Sequence, residues 1–141
     1  MEIRSFRGEY DFLSNFYEAP VTYEGITYPH SEAAFQAAKV LDEETRRTFT
    51  ALTPTQAKHR GKRVALRSDW NEVRLIVMED VVRCKFTQHP ELAQRLLDTG
   101  DALLMEGNRW RDTFWGVSTA TGKGQNHLGK ILMKIREELR A

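Results

Sequence analysis

The sequence predicts a helix-rich α+β domain with a few short strands, and three observations carry that expectation. Between Trp70 and Thr87, the residues Trp70, Val73, Val77, Val81 and Cys84 recur at three- and four-residue steps, the period of one buried helix face. Near the carboxy terminus, Leu128, Ile131, Leu132, Ile135 and Leu139 repeat the same spacing. Strand signals are brief by comparison: Val21-Thr22-Tyr23 and Ile26-Thr27-Tyr28 flank Glu24-Gly25, a hairpin with a two-residue turn.

Taken in order, Ile3 to Phe6 alternates weakly and suits a short strand. Asp11 to Tyr17 has large apolar residues around Ser14 and Asn15 without a clean period, as in an irregular loop pinned by aromatics. The hairpin delivers the chain through Pro29 into an alanine-rich helix with Ser31 as its N-cap and Glu32 in its first turn, where the helix dipole favours a carboxylate. Asp42 caps a second helix reaching about Ala51, and Thr53-Pro54 opens a third that ends near Gly61. Ser68 or Asp69 caps the long helix from Trp70. Pro90 opens a short one through Leu92, Leu96 and Leu97 that stops at Gly100. Ala102 to Glu106 and Phe114 to Val117 read as buried strands, and Asn126 caps the last helix.

The chain has 141 residues and a mass of 16.3 kDa, so residues 1–141 are expected to form one domain that buries about two-thirds of its unfolded surface. No apolar run approaches the length of a bilayer span, and Met1 to Ser5 has no signal-peptide stretch, so the expected setting is cytoplasmic with no membrane partner. A single cysteine, Cys84, excludes an internal disulfide framework and reads as a small helix-face hydrophobe. The histidines at 30, 59, 89 and 127 show no ligand-like pairing, so no metal site and no cofactor are expected. A net charge of +1 argues against a broad basic surface, though not against a local basic cleft.

Chemistry-bearing residues collect in two places. Glu32, Gln36 and Lys39 fall at i, i+4 and i+7 on the alanine-rich helix, on one face. Such a trio is also what any solvated helix face carries, but the small neighbours Ala34, Ala37 and Ala38 suit tight packing and turn the polar stripe into a candidate cleft lining. The second place is Glu106 to Trp115, where Asp112 lies between Trp110 and Trp115. An apolar wall raises a carboxyl pKa and lets the group donate a proton near neutrality. Asp112 as a turn residue and Glu106 as an arginine partner are the structural alternatives. Gly122-Lys123-Gly124 is too short for a phosphate loop, although backbone amides near Asn126 could hold an anion.

These motifs together resemble one family. Phe12-Leu13-Ser14-Asn15-Phe16, Ser31-Glu32 with Gln36 and Lys39, Trp70 with Arg74, Asp112-Thr113-Phe114-Trp115-Gly116, and Gly124-Gln125-Asn126-His127-Leu128-Gly129 with Arg136 resemble, in order and over nearly the whole chain, the NADAR superfamily with its YbiA-like N-glycosidases. The resemblance implies the YbiA-like/NADAR fold and hydrolysis of an N-glycosidic bond between ribose C1 and a base nitrogen. Two substrate settings follow from it: ADP-ribosylated guanine in DNA, RNA or nucleotide, reversing a modification that a cognate ADP-ribosyltransferase toxin would install, and phosphorylated ribosylamino-pyrimidine intermediates of riboflavin synthesis. It assigns Glu32, Trp70 and Asp112 to catalysis and implicates Lys39. Asn15, Phe16, Gln36, Arg63, Arg67, Arg74, Trp115, Gly116 and Asn126 are then the expected substrate contacts.

Breaking a ribosyl C–N bond builds positive charge on the sugar and negative charge on the base, so a carboxylate beside C1 and a proton donor beside the base are needed. Glu32 and Asp112 can divide these roles in either order. Trp70 would stack on the base or exclude solvent, or simply pack at a helix start. Lys39 could attack the opened ribose as a Schiff-base nucleophile, its pKa lowered by burial or by cationic neighbours among Arg63, Arg67 and Arg74. Equally, it and the arginines could bind phosphate. Val117 to Thr121 carries less glycine than the family pattern, and Trp110 lies in a loop of variable length; both differences fall where substrate choice is expected. The competing classes are a non-catalytic module that binds ADP-ribose or a nucleotide, and a helical protein-interaction domain.

Overall fold

A computed structural model describes all 141 residues. In chain order the elements are β1 (Glu2–Ile3), a 3-10 helix (Gly8–Leu13), β2 (Val21–Tyr23), β3 (Ile26–Tyr28), α1 (Ser31–Ala37), α2 (Glu43–Arg47), α3 (Pro54–Gly61), α4 (Trp70–Gln88), α5 (Pro90–Leu97), β4 (Leu103–Leu104), β5 (Gly107–Asn108), β6 (Val117–Ser118) and α6 (His127–Arg140). This is the expected α+β, helix-rich architecture. No helix is long and apolar enough to cross a membrane. The chain divides into two compact units, Asn15–His89 and Met1–Ser14 with Pro90–Ala141.

Within Asn15–His89, β2 and β3 form the expected antiparallel hairpin, with Val21 opposite Tyr28 and Tyr23 opposite Ile26. Glu24 and Gly25 both take positive φ, 48° and 84°, as a two-residue turn that follows the strand twist requires. The inner face, Val21, Tyr23, Ile26 and Tyr28, is buried. On the outer face the Thr22 and Thr27 hydroxyls meet at 2.8 Å. The Gln88 amide then pairs with the open edge of β2, accepting from Thr22 N at 2.9 Å and donating to Thr22 O at 2.8 Å. All seven residues of α1 are buried, and the helix packs against α3, α4 and the hairpin. α3 starts where Thr53-Pro54 predicts, and with a full capping box that was not among the expectations: Gln56 N donates to the Thr53 hydroxyl and Thr53 N to Gln56 Oε1.

In the other unit, β1 pairs with β4 and β5 with β6, both in parallel and over two residues each. α6 packs on β4 and α5. Gly129 allows this approach, because a Cβ there would fall 2.1 Å from the Leu104 carbonyl. The buried Arg136 guanidinium donates to Ala102 O at 3.0 Å and Thr99 Oγ1 at 2.9 Å, tying α6 to the turn before β4.

Several expectations are corrected. Ser31 lies inside α1, and the N-cap is His30. α2 stops at Arg47 instead of Ala51, because the Thr48 and Thr50 hydroxyls bond back to the Thr45 and Arg47 carbonyls and the chain continues in tighter turns. Asp69 precedes α4 without a side-chain cap; its carboxylate is taken by Arg67. The strands expected over Ile3–Phe6, Ala102–Glu106 and Phe114–Val117 shrink to Glu2–Ile3, Leu103–Leu104 and Val117–Ser118. The segment expected to be irregular from Asp11 begins instead as the 3-10 helix, with Phe12 and Leu13 buried.

Candidate functional site

The N-terminus of α1 is fixed from three directions. The His30 ring accepts the Ala33 N–H at Nδ1 (3.1 Å), so Nε2 carries the proton and donates to the Leu52 carbonyl at 2.8 Å. Burial pushes the imidazole pKa down, in keeping with this neutral tautomer. Asn15 supplies the second anchor: its carbonyl accepts the Glu32 N–H at 3.1 Å and its Oδ1 accepts the Ser31 hydroxyl at 2.9 Å. Trp70 supplies the third, packing its buried ring on Phe35 with centroids 5.2 Å apart.

This frame holds a buried polar cluster. Glu32 is 8% exposed and its Oε2 accepts the Gln36 amide at 2.7 Å, one turn along α1. Gln36 is buried as well, and its Oε1 has no hydrogen-bond partner, a deficit costing about 1–3 kcal/mol. α1 ends at Ala37, but Lys39 stays close: its ammonium donates to the Gly61 carbonyl at 3.3 Å. Burial holds the Lys39 pKa below the ordinary lysine value and Lys62 adds to the effect, while the Glu32 carboxylate opposes it.

The Asp112 turn lies in the other unit and is organised by Asn108, which is almost fully buried. Asn108 Oδ1 accepts the Asp112 N–H at 2.9 Å, and Nδ2 donates to Asp112 O at 2.9 Å and Glu106 Oε2 at 3.0 Å. Asp112 Oδ1 in turn accepts the N–H groups of Phe114 (3.2 Å) and Trp115 (2.9 Å). Its Oδ2 takes no part in these two bonds. Gly116 is required beside this turn, because a Cβ there would fall 2.0 Å from Glu106 Oε2 and 2.1 Å from Glu106 O.

The expected substrate contacts fare differently. Asn15 and Gln36 turn their amides inward, onto Ser31 and Glu32. Arg67 is forked on Asp69, with Nε–Oδ1 at 2.6 Å and Nη2–Oδ2 at 3.2 Å, while its N–H donates to Lys39 O at 2.8 Å. Arg67 is thus a brace for the turn after α1. Arg63 is exposed just past α3, Arg74 is half-buried on α4, and Phe16 is 42% exposed. Trp115 lies edge-on to His127 in a cluster with Phe114.

Asn126 departs most from expectation. It precedes α6 in the left-handed region (φ 54°), but its side chain does not cap the helix: Oδ1 accepts Glu106 N at 3.0 Å and Nδ2 donates to Leu104 O at 2.8 Å. The amides of Asn126, His127 and Leu128 donate to the carbonyls of Gly116, Phe114 and Trp115, so they are not open to the anion suggested by the sequence. His30, Gly61 and Asn108 were missed as site-forming residues. The Pro29-His30-Ser31 step carried a signal, since His can cap, but Ser31 is the stronger N-cap type. Nothing periodic marks Asn108.

The comparisons with known proteins agree with one another. The NADAR domain matches residues 4–140. N-glycosidase YbiA of Escherichia coli K12 is 40% identical over 134 residues, covering 93% of this chain and 82% of that protein. A riboflavin biosynthesis protein of Vibrio vulnificus is also 40% identical, over 131 residues that cover 91% of this chain and 35% of that protein. The NMR structure of E. coli YbiA matches with a TM-score of 0.85 at 38% identity, covering 99% of this chain and 84% of that one. With the family pattern running almost from end to end, the chain belongs to the NADAR domain family.

Proposed function

We propose that this protein is an N-glycosidase that hydrolyses the bond between ribose C1 and a base nitrogen, and that its substrate is ADP-ribosylated guanine in nucleic acid or nucleotide. The observation that carries the reaction is the buried Glu32–Gln36 pair with Lys39 beside it, held on a helix whose start is anchored by His30 and Asn15. A fixed carboxylate in a poorly solvated setting stabilises a cation developing at C1 far better than one in water, because little solvent screens it and no reorganisation is needed. Water adds to C1 as the C1–N bond breaks, and the base nitrogen leaves with a proton.

Asp112 is the other matched carboxylate, and its Oδ2 is the atom that would orient water or carry the proton. Lys39 has two uses. Its charged form binds a substrate phosphate; its neutral form, favoured by burial, is a nucleophile toward the C1 of an opened ribose. Trp70 is read as a wall behind α1, given its contact with Phe35.

A second reading, hydrolysis of a ribosylamino-pyrimidine riboflavin precursor, is favoured by the names of the Vibrio relative and of a chloroplastic riboflavin biosynthesis protein of Zea mays. The relatives matched along most of their own length, in E. coli and Nostoc punctiforme, are named N-glycosidases, a name that fits either substrate. The test is to offer the purified protein a guanine-ADP-ribosylated oligonucleotide and, in parallel, the pyrimidine precursor, with Glu32→Gln as control. ADP-ribose released by the parent and not by the variant supports the first reading, together with a rate that falls as salt is added to the oligonucleotide reaction. Turnover of the precursor alone replaces it with the second. ADP-ribose binding without turnover leaves a binding module.

A further inference from the structure

Resting on the reading of Glu32 as a catalytic carboxylate, we infer that Gly61, the last residue of α3, is a positioning residue that acts through Gln36. The Gly61 Cα lies directly against the Gln36 amide: a Cβ at position 61 would fall 1.8 Å from Gln36 Oε1, 2.6 Å from its Cδ and 3.2 Å from its Cβ. The other end of that amide is the donor to Glu32 Oε2 at 2.7 Å. Gln36 is therefore clamped between a helix backbone and the carboxylate, with Oε1 buried against α3 and no partner for it there. A buried acceptor with no protein partner calls for an explanation, and the bond that Nε2 makes to Glu32 supplies one.

The same residue meets the cluster a second time, because its carbonyl accepts the Lys39 ammonium at 3.3 Å. One residue of α3 thus sets the rotamer of Gln36 through its missing side chain and the place of Lys39 through its main chain. No backbone requirement explains the glycine, since its φ lies outside the left-handed region and alanine is the better helix former there. The three heavy atoms nearest to such a methyl group all belong to Gln36.

The test is a cycle of Gly61→Ala, Gln36→Ala and the double variant, read by turnover of the glycosyl substrate and by the side-chain amide NMR signal of Gln36. Gly61→Ala is expected to fold with a somewhat lowered melting temperature, to shift the Gln36 signal, and to lower kcat by about 10- to 100-fold with KM within about two-fold. In the Gln36→Ala background, where the amide is gone, adding Gly61→Ala is expected to change kcat by less than about two-fold, because the residues form one unit. Losses that multiply in the double variant would overturn the inference, as would an unchanged kcat in Gly61→Ala. If the parent itself turns over no N-glycosyl substrate, the reading of Glu32 fails by that result alone. The Gln36 signal then decides the linkage: it must move both in Gly61→Ala and in Glu32→Gln, and constancy in either one refutes it.

Discussion

Replacing His30 with Asn separates the two jobs of its ring. Asn is a good N-cap and keeps an acceptor for the Ala33 N–H, but it cannot reach the Leu52 carbonyl that Nε2 now serves at 2.8 Å. Leaving that partly buried carbonyl unpaired costs about 1–3 kcal/mol at neutral pH. The pH dependence gives a sharper check. Burial depresses the pKa of folded His30, whereas in the unfolded chain it returns to about 6.5. At pH values between the two, the unfolded chain binds the extra proton. The stability from neutral His30 is therefore fully present above about pH 6.5 and is lost as pH falls toward the folded-state value, at up to about 1.4 kcal/mol per pH unit. Urea unfolding of parent and His30→Asn at pH 7.5 and pH 5.5 tests this, since the other three histidines are common to both proteins. The stability gap is expected to be wide at pH 7.5 and narrower at pH 5.5. An equal gap at both values, or a wider one at the lower, would refute a neutral, capping His30.

Other expectations follow from the same geometry. Asn126→Ala removes two hydrogen bonds to the β4–β5 backbone and puts alanine at φ 54°, so a loss of about 2–4 kcal/mol in chemical unfolding is expected, while Asn126→Gly recovers only the backbone part. Asn108→Ala frees the Asp112 turn on both its N–H and C=O sides and should lower kcat about as far as Asp112→Ala does, with a loss of stability comparable to that of Asn126→Ala. Borohydride added during turnover should fix a sugar adduct on the parent and none on Lys39→Arg if the amine is a nucleophile; a lysine that only binds phosphate leaves no adduct in either and raises KM when replaced.

What was legible in the sequence was local. The Glu24-Gly25 turn, the helix start at Thr53-Pro54 and the apolar face of α6 each depend on residues a few positions apart and are found as expected, while the face expected on α4 is buried at Trp70, Val77 and Val81 and only half-buried at Val73 and Cys84. The Glu32, Gln36 and Lys39 spacing likewise predicted a cluster, even though α1 stops before Lys39. What failed depended on partners distant in sequence. Ser31 looked like the cap because it is the better cap type, but the Leu52 carbonyl holds the His30 ring from 22 residues away, and Asn15 claims the Ser31 hydroxyl from 16 away. Asn126 lost its capping role to backbone groups 20 and 22 residues back. A pattern that scores each residue against its neighbours contains none of these competitors.

Why side-chain amides recur at these points follows from how little sheet there is. All six strands span only two or three residues, too short for ladder hydrogen bonds alone to fix a position. An amide offers a donor and an acceptor about as far apart as those of a peptide group, so one Asn or Gln can stand in for a missing strand neighbour. Gln88 does so for β2, Asn126 for the β4–β5 backbone and Asn108 for the Asp112 turn. The consequence is that few groups locate each matched carboxylate: His30 and Asn15 hold the Glu32 end of α1, and the Asn108 amide holds the Asp112 turn. In such a scaffold, precision at the candidate residues depends on a few buried amides as well as on the apolar core, and substitutions at those amides should lower turnover and stability together.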